Sequence, residues 1–191
     1  MITAILLAAG QSKRLKNENK LIKLFKKKLL INHILSSLIK SKVNKIIIVL
    51  GFEHLKVKKK LLKSKKIKFV INKNYKKGIS SSIKTGLRSL SKHNKGFLIV
   101  QADMPNITKT TINKIILLIN KSPKEIFLPR FKNRVGNPIG FKKSMIKNIN
   151  KIKGDRGAKN IIKKNSKKIK FININSKSIL TNFNTKKDFS S

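Results

Sequence analysis

The 191-residue chain contains no cysteine and no tryptophan, and only six of its residues are acidic. The absence of cysteine excludes a disulfide framework, thiolate catalysis and metal sites built on cysteine. Three histidines have no partners at metal-ligand spacing, so we do not expect a structural zinc site either. No apolar run approaches the roughly 20 residues that span a bilayer. We therefore expect a cytoplasmic protein with no membrane partner.

Basic residues are abundant: the chain has 48 lysines and arginines and a formal net charge of +42. Clustered basic residues bind nucleic acids, because their contacts with phosphates release counterions. Here the excess is nearly all lysine, and it is spread over every segment instead of forming one stripe interleaved with aromatic residues. Nucleic-acid binding is therefore the less favoured class. The charge should instead help the protein to capture an anionic small substrate.

Short apolar runs alternate with segments of helical periodicity along the chain. Buried strands are predicted at residues 2–7, 45–50, 67–71 and 96–100, and amphipathic helices around 30–38, 83–90 and 112–119. In the second half, strands are predicted at 126–129, 135–141 and 169–174, and a helix at 155–164. This order predicts right-handed crossovers and a single α/β domain, in which helices cover both faces of a mainly parallel sheet.

The segment that follows the first strand has the composition of a phosphate-binding loop. Its candidate binding residues are Leu7, Ala8, Ala9, Gly10, Ser12, Arg14 and Lys20. Small residues let the backbone approach an anion closely, while an arginine and a lysine supply positive charge. The segment matches neither the P-loop nor the dinucleotide-binding fingerprint. The alternative is an ordinary turn between strand and helix, with the lysines as surface charges.

Polar residues also follow other predicted strands, where ligands bind in open α/β sheets. Asp103 lies just beyond the strand 96–100 and is suited to hold Mg²⁺ on a nucleotide. Alternatively, Asp103 caps the next helix, a position for which Thr108 competes. Asn184 follows the last predicted strand, and its amide oxygen is a second candidate metal ligand.

Three consecutive serines, Ser80, Ser81 and Ser82, follow Gly78 at the start of a predicted helix. Their hydroxyl groups and the free N–H groups of the helix start could hold an anion or the edge of a base. Simple N-capping by one serine is the alternative, and both roles could be filled by different serines.

Taken together, these segments resemble the molybdenum-cofactor nucleotidyltransferases, within the wider group of sugar-nucleotide-type NTP transferases. The motifs that carry the resemblance are LLAAGQSKRLKNENKLI from Leu6, NKNYKKGISSSIKTGL from Asn72, ADMP from Ala102, GNPIGF from Gly136, GDRGAKNII from Gly154 and TNFNTKKD from Thr181. They span nearly the whole chain in the family's order. The resemblance implies a Rossmann-like fold of the nucleotide-diphospho-sugar transferase type.

The resemblance also implies residue roles. Arg14 and Lys20 would contact the triphosphate, Asp103 would bind Mg²⁺, and the serine segment would help to recognise the nucleotide. Residues 1–105 would mainly bind the nucleotide and residues 106–191 the acceptor. Acceptor-binding candidates in the second half are Asn137, Pro138 and Asp155. Alanine at position 9 is typical of the branch that uses CTP, whereas the branch that uses GTP usually has glycine there.

Three positions depart from the family's pattern. Lys16 replaces a glycine, Asn137 replaces a histidine, and Asn182 replaces the first aspartate of the closing motif of the cytidylyl branch. The Asn182 pattern is closer to the guanylyl branch, and it leaves less negative charge for a metal. The replacement of histidine by Asn137 changes a side chain that is expected to contact the acceptor.

The resemblance predicts transfer of CMP from CTP to the terminal phosphate of a molybdopterin-type cofactor, with release of pyrophosphate. It also implies transient contact with a molybdoenzyme or its chaperone. The alternatives are a transferase of the same fold that uses GTP or a sugar phosphate, a non-catalytic nucleotide-binding relative, and a basic nucleic-acid-binding protein.

Overall fold

A computed structural model describes residues 1–12 and 18–189, without the side chains of Arg156 and Lys186. The strands are β1 (Ile2–Ala8), β2 (Leu24–Phe25), β3 (Lys28–Leu29), β4 (Lys45–Leu50), β5 (Ile67–Ile71), β6 (Gly96–Gln101), β7 (Ile126–Phe131), β8 (Arg134–Val135), β9 (Ile139–Lys142) and β10 (Ile169–Asn173). The α-helices are α1 (Leu30–Ile39), α2 (His54–Lys59), α3 (Ile79–Arg88), α4 (Lys109–Lys121), α5 (Ile146–Ile149) and α6 (Lys159–Lys164). None of these helices is long and apolar enough to cross a membrane.

Eight of the described strands form one mixed sheet in the order β10-β7-β9-β6-β1-β4-β5, with β8 paired to β7. The strands β6, β1, β4 and β5 are mutually parallel, and β10 is parallel to β7. β9 runs antiparallel to both of its neighbours, β6 and β7. The prediction of a single α/β domain with a mainly parallel sheet is therefore confirmed.

The central strand β1 is buried on both faces, as its uninterrupted apolar run indicates. Because successive side chains alternate between faces, Ala4, Leu6 and Ala8 pack with apolar residues of α1 and α4. Ile5 and Ala9 pack on the opposite face with residues of α3 and α5. The sheet is thus the middle layer of three, and the segment after β1 emerges at its carboxyl edge.

Two local predictions for the second half were wrong. The strand predicted at 135–141 is divided. The Gly136 N–H still donates to Pro129 O of β7, but the Asn137 N–H donates to Ile179 O, which takes the chain away from the sheet before β9. The helix predicted from Asp155 begins only at α6, because Gly157 has a φ of +56° and interrupts the helical path. A short 3₁₀-helix, Gly154–Arg156, precedes that interruption.

Candidate active site

A cavity of about 460 Å³ lies at the carboxyl edge of the parallel strands. Its volume is within the range of roughly 300–1,000 Å³ that is usual for small-molecule sites. The predicted site residues that line it are Leu7, Ala9, Gly10, Ser12, Lys20, Gly78, Ser82, Asp103, Asp155 and Asn184. Residues far apart in the sequence are thus brought together at the position expected for a ligand of an open α/β sheet.

Other predicted site residues lie elsewhere. Ala8, Ser80, Ser81, Asn137 and Pro138 do not line this cavity, and Arg14 lies outside the described residues. Ala8 points to the opposite face of the sheet, where it belongs to the apolar core beside α1. Asn137 stands just before β9, and its N–H is bonded to Ile179 O at 2.9 Å. The acceptor roles of Asn137 and Pro138 stay predictions.

The loop after β1 is tied to the following turn. Ser12 Oγ accepts a hydrogen bond from the Lys20 N–H at 3.1 Å. Lys20 begins a 3₁₀-helix, Lys20–Ile22, and Asn19 caps this helix by accepting from the Leu21 N–H at 3.2 Å. Gly10 is exposed in the cavity wall. These bonds fix the backbone of Lys20 beside the cavity, which its side chain enters.

The Lys20 ammonium group lies among three oxygen atoms. It donates to Asp103 Oδ2 at 2.6 Å, Asn184 Oδ1 at 2.7 Å and Phe183 O at 2.9 Å. An ammonium group has three hydrogens, so all of them are used in these bonds. The side chains of Lys20 and Asp103 are 15% and 16% exposed, so the pair is shielded from bulk water on most sides. We call Asp103, the Phe183 carbonyl and Asn184 the oxygen cluster.

The oxygen cluster has the chemistry of a site for a hard divalent cation. A carboxylate, an amide oxygen and a backbone carbonyl are ligands that Mg²⁺ and similar ions accept, and here they already surround one positive charge. Across the described residues, no group of three His, Cys, Asp or Glu side chains converges, so the cluster contains a single carboxylate. The residues fit a divalent metal that would take its remaining ligands from phosphates and water.

Asp103 does not cap the next helix. The N-cap of α4 is Thr108, whose side chain accepts from the Thr111 N–H at 3.3 Å. The Asp103 carbonyl accepts from the Phe183 N–H at 2.9 Å, which ties the closing segment to the end of β6. The carboxylate is therefore available to the cavity, and the capping alternative for Asp103 was wrong.

Asn184 is held in place from two sides. The ring of its neighbour Phe183 packs against Phe25 and Phe189, with centroids 4.7 Å and 5.6 Å away. Asp188 Oδ2 accepts from the N–H groups of Asn184 and Thr185, both at 2.7 Å. These hydrogen bonds from the backbone, which stabilise the ionised form, hold the pKa of Asp188 below its ordinary value.

Replacing Asp188 with alanine tests this tether. We expect a loss of about 1 kcal/mol in the free energy of unfolding at neutral pH, after discounting for exposure to solvent. Because the pKa is lowered in the folded protein, this contribution is complete above the ordinary aspartate pKa and disappears as the pH falls through the lower folded value. The difference between wild type and Asp188→Ala in urea unfolding should thus be constant near neutrality and shrink below about pH 4. A difference that grows on acidification would contradict the assignment.

The start of α3 is built around Gly78 and Asp155. Gly78 has a φ of +90°, which side chains rarely adopt, and an added Cβ would lie 2.4 Å from Asp155 Oδ1. That oxygen accepts from the Ile79 N–H at 2.9 Å. The N-terminus of α3 is therefore capped by the Asp155 carboxylate, which comes from the second half of the chain. Negative charge at a helix N-terminus also interacts favourably with the helix dipole. The alternative role for the serines, N-capping of α3 by one of them, was wrong, because the N-cap residue is Gly78.

Some cavity residues have no role in the sequence-based prediction. They are Gln11, Leu21, Tyr75, Lys76, Ile79 and Gln101. Asn72, which contacts two of the predicted serines, also had no predicted role. Gln101 and Asn72 each stand at the end of a parallel strand, and this position is the signal that could have identified them.

The comparison with protein families agrees with this geometry. The family model described as the MobA-like NTP transferase domain matches residues 4–169, which is most of the chain. The chain belongs to this family. The protein is therefore a nucleotidyltransferase, a nucleotide-binding enzyme with a Rossmann-like fold.

Solved structures of other proteins share the fold. Rv0371c from Mycobacterium tuberculosis H37Rv is 20% identical, with a TM-score of 0.86 over 99% of this chain and 95% of that one. The same protein has also been solved in complex with manganese, with a TM-score of 0.76 and 19% identity over 92% of this chain and 89% of that one.

Two further solved structures have the same fold as this chain. A nucleotidyl transferase from Methanothermobacter is 16% identical, with a TM-score of 0.84 over 100% of this chain and 94% of that one. The 4-diphosphocytidyl-2C-methyl-D-erythritol synthase from Anaerococcus prevotii is also 16% identical, with a TM-score of 0.80 over 99% and 92% of the two chains. At these identities the likeness concerns the fold.

Proposed function

We propose that the protein transfers CMP from CTP to the terminal phosphate of a molybdopterin-type cofactor and releases pyrophosphate. The transfer chemistry is inferred from the oxygen cluster around the Lys20 ammonium. This cluster and the residues that follow β1 line the same cavity. The acceptor is proposed from the motifs of the second half. CTP is proposed from Ala9 and is in keeping with the diphosphocytidyl product named for one structural neighbour.

The proposed reaction is an in-line displacement at phosphorus. An oxygen of the acceptor's terminal phosphate forms a bond to the α-phosphorus of CTP. The bond from that phosphorus to the bridging oxygen of the β-phosphate breaks, and its electron pair leaves with pyrophosphate. A phosphate nucleophile is already ionised at neutral pH, so the reaction needs no general base. No histidine is found among the described residues that line the cavity, in keeping with this chemistry.

The protein's contribution is then to position the phosphates and to stabilise their charge. In this proposal, the exposed backbone at Gly10 approaches the triphosphate, and the Lys20 ammonium supplies positive charge to it from the same cavity. Asp103 and Asn184 would hold a divalent metal, Mg²⁺ in our proposal, which supplies charge neutralisation at the phosphates when bound. The manganese complex of one structural neighbour supports the use of a divalent ion by a protein of this fold.

The acceptor would enter from the side formed by residues 106–191. Asp155 and Asn184 are the described residues of this half that line the cavity. We also propose that the enzyme acts in the cytoplasm, where nucleoside triphosphates are available, and passes its product by transient contact to a molybdoenzyme or its chaperone.

Pyrophosphate release tests the proposed function. The purified protein is incubated with CTP or GTP and Mg²⁺, with and without molybdopterin cofactor. We expect release with CTP that depends on the cofactor. Release with GTP alone would assign the chain to the guanylyl branch, to which the Asn182 pattern is closer. Binding of CTP without release would contradict this acceptor and support another acceptor or a non-catalytic role.

Ala9→Gly tests the nucleotide preference. The methyl group of Ala9 is buried in the wall of the cavity, on the face of the sheet that packs against α3. Removing it enlarges the site where a bulkier purine would lie. We expect the ratio of kcat/KM for CTP to that for GTP to fall by about tenfold, the effect of a change of a methyl group in a pocket. Ala8→Gly, on the opposite face, is the matched control and should leave the ratio unchanged.

A further inference from the structure

Asn72 is a buried polar residue at the end of β5 that the proposed mechanism does not use. Its side chain is 3% exposed, and its backbone N–H donates to Leu50 O at 2.8 Å. Its Oδ1 accepts from the Asn74 N–H at 3.0 Å. An amide oxygen accepts and the amide nitrogen donates, so this bond determines which end of the amide faces α3.

The Asn72 nitrogen faces two serines of α3. It donates to Ser81 Oγ at 2.8 Å and to Ser82 Oγ at 3.0 Å. The two N–H hydrogens are thus both used, and each serine oxygen acts as an acceptor. The hydrogen of each hydroxyl group must therefore point away from Asn72.

The two serines differ in where that hydrogen can go. Ser81 Oγ lies 2.9 Å from both Asn74 O and Gly78 O, so its hydrogen is donated within the protein. Ser82 lines the cavity, and its contacts among the described residues show no acceptor for its own hydrogen. Asn72 therefore leaves Ser82 with a hydrogen to donate into the cavity.

We propose that Asn72 is a positioning residue that makes Ser82 a hydrogen-bond donor to the nucleotide. The inference rests on the proposed binding of a nucleotide in this cavity. A hydroxyl group has one hydrogen and two lone pairs, and here one lone pair of Ser82 Oγ accepts from the amide while the hydrogen points away from it. The partner of that hydrogen must be an acceptor atom. Cytosine presents two such atoms, O2 and N3, on its pairing edge, whereas guanine presents one, O6, beside its N1–H and N2–H donors.

The test is the equilibrium affinity for CTP, with Asn72→Leu and Asn72→Asp as the variants. Leucine removes the polar contacts, and aspartate keeps the shape and the bond to Asn74 but offers Ser82 an acceptor in place of a donor. Both variants should weaken CTP binding by about tenfold, the usual scale for one misdirected hydrogen bond. The KM for CTP should rise equally, with kcat within about twofold, because the reacting groups are untouched.

Ser82→Ala supplies the decisive comparison. If Asn72 acts through Ser82, neither Asn72 substitution should weaken CTP binding further once Ser82 is alanine. Full additivity of the two effects would overturn the proposal, as would a loss of kcat at unchanged KM.

Asn32→Leu is the matched structural control. Asn32 is also buried, and its amide donates to Lys60 O at 3.0 Å and accepts from the Leu62 N–H at 3.2 Å, outside the cavity lining. We expect it to lower Tm without changing the affinity for CTP. An equal loss of affinity in this control would show that Asn72 has only a structural role. If CTP binds but no pyrophosphate is released, the proposed function fails while the coupling between Asn72 and Ser82 can still be measured.

Discussion

Asp103→Asn is expected to lower kcat/KM for pyrophosphate release by about 10²- to 10³-fold, the loss typical of removing one preorganised electrostatic group from an active site. Asparagine has nearly the same shape, so the fold should be retained. What is lost is the single carboxylate of the oxygen cluster, and with it the negative charge that would hold a divalent cation beside the phosphates. Steady-state kinetics with CTP and molybdopterin cofactor measure the effect.

Binding of Mn²⁺ to the protein alone, followed by electron paramagnetic resonance, provides a readout that does not depend on turnover. Asp103→Asn should abolish or strongly weaken this binding. Glu125→Gln is the matched control, because Glu125 is ion-paired with Lys168 and does not line the cavity. Near-normal turnover and Mn²⁺ affinity in Asp103→Asn would remove Asp103 from the site.

Lys20→Met should lower kcat/KM by about 10²-fold, because it removes the ammonium group that would stabilise charge on the triphosphate. The expected effect on Mn²⁺ binding is the opposite of that for Asp103→Asn. All three hydrogens of the Lys20 ammonium are bonded to the oxygen cluster, so a metal at the same oxygens competes with this positive charge. Without the ammonium group, Mn²⁺ should bind at least as tightly as in the wild type.

Lys23→Met serves as the control for Lys20, because it removes one positive charge from a lysine that pairs with Glu18 and does not line the cavity. Its kinetics and Mn²⁺ affinity should match the wild type. A loss of Mn²⁺ binding in Lys20→Met would show that Lys20 supports the oxygen cluster structurally. Unchanged kinetics in that variant would exclude Lys20 from the reaction.

Much of the first half could be predicted from sequence because each element there has a local signal. The runs at 2–7, 45–50 and 96–100 are buried parallel strands, and their carboxyl ends must meet at one edge of the sheet. Gly10, Lys20 and Asp103 follow such strands, so their shared location could be inferred from order alone. The position of Asn184 after the last predicted strand added a second candidate metal ligand, and Asn184 also lines the cavity.

The second half was harder to predict because its local signals are overridden by contacts distant in sequence. The run 135–141 has the composition of one strand, yet the bond from the Asn137 N–H to Ile179 O divides it. The segment from Asp155 has helical periodicity, yet the backbone at Gly157 breaks the helix, and the Asp155 carboxylate caps α3. No nearby residue indicates that Asp155 will meet a helix 76 positions away.

Hydrophobic periodicity and strand polarity within short windows were enough to predict the alternation of strands and helices, the three-layer α/β class and the edge of the sheet that carries the site. Which polar atoms meet there became known only from the packed fold. Lys20 reaches Asn184 across 164 positions, and Asn72 orients Ser82 from a neighbouring strand. Such contacts depend on distance and angle at atomic scale, which arise only when the packed layers place the ends of separate elements against one another.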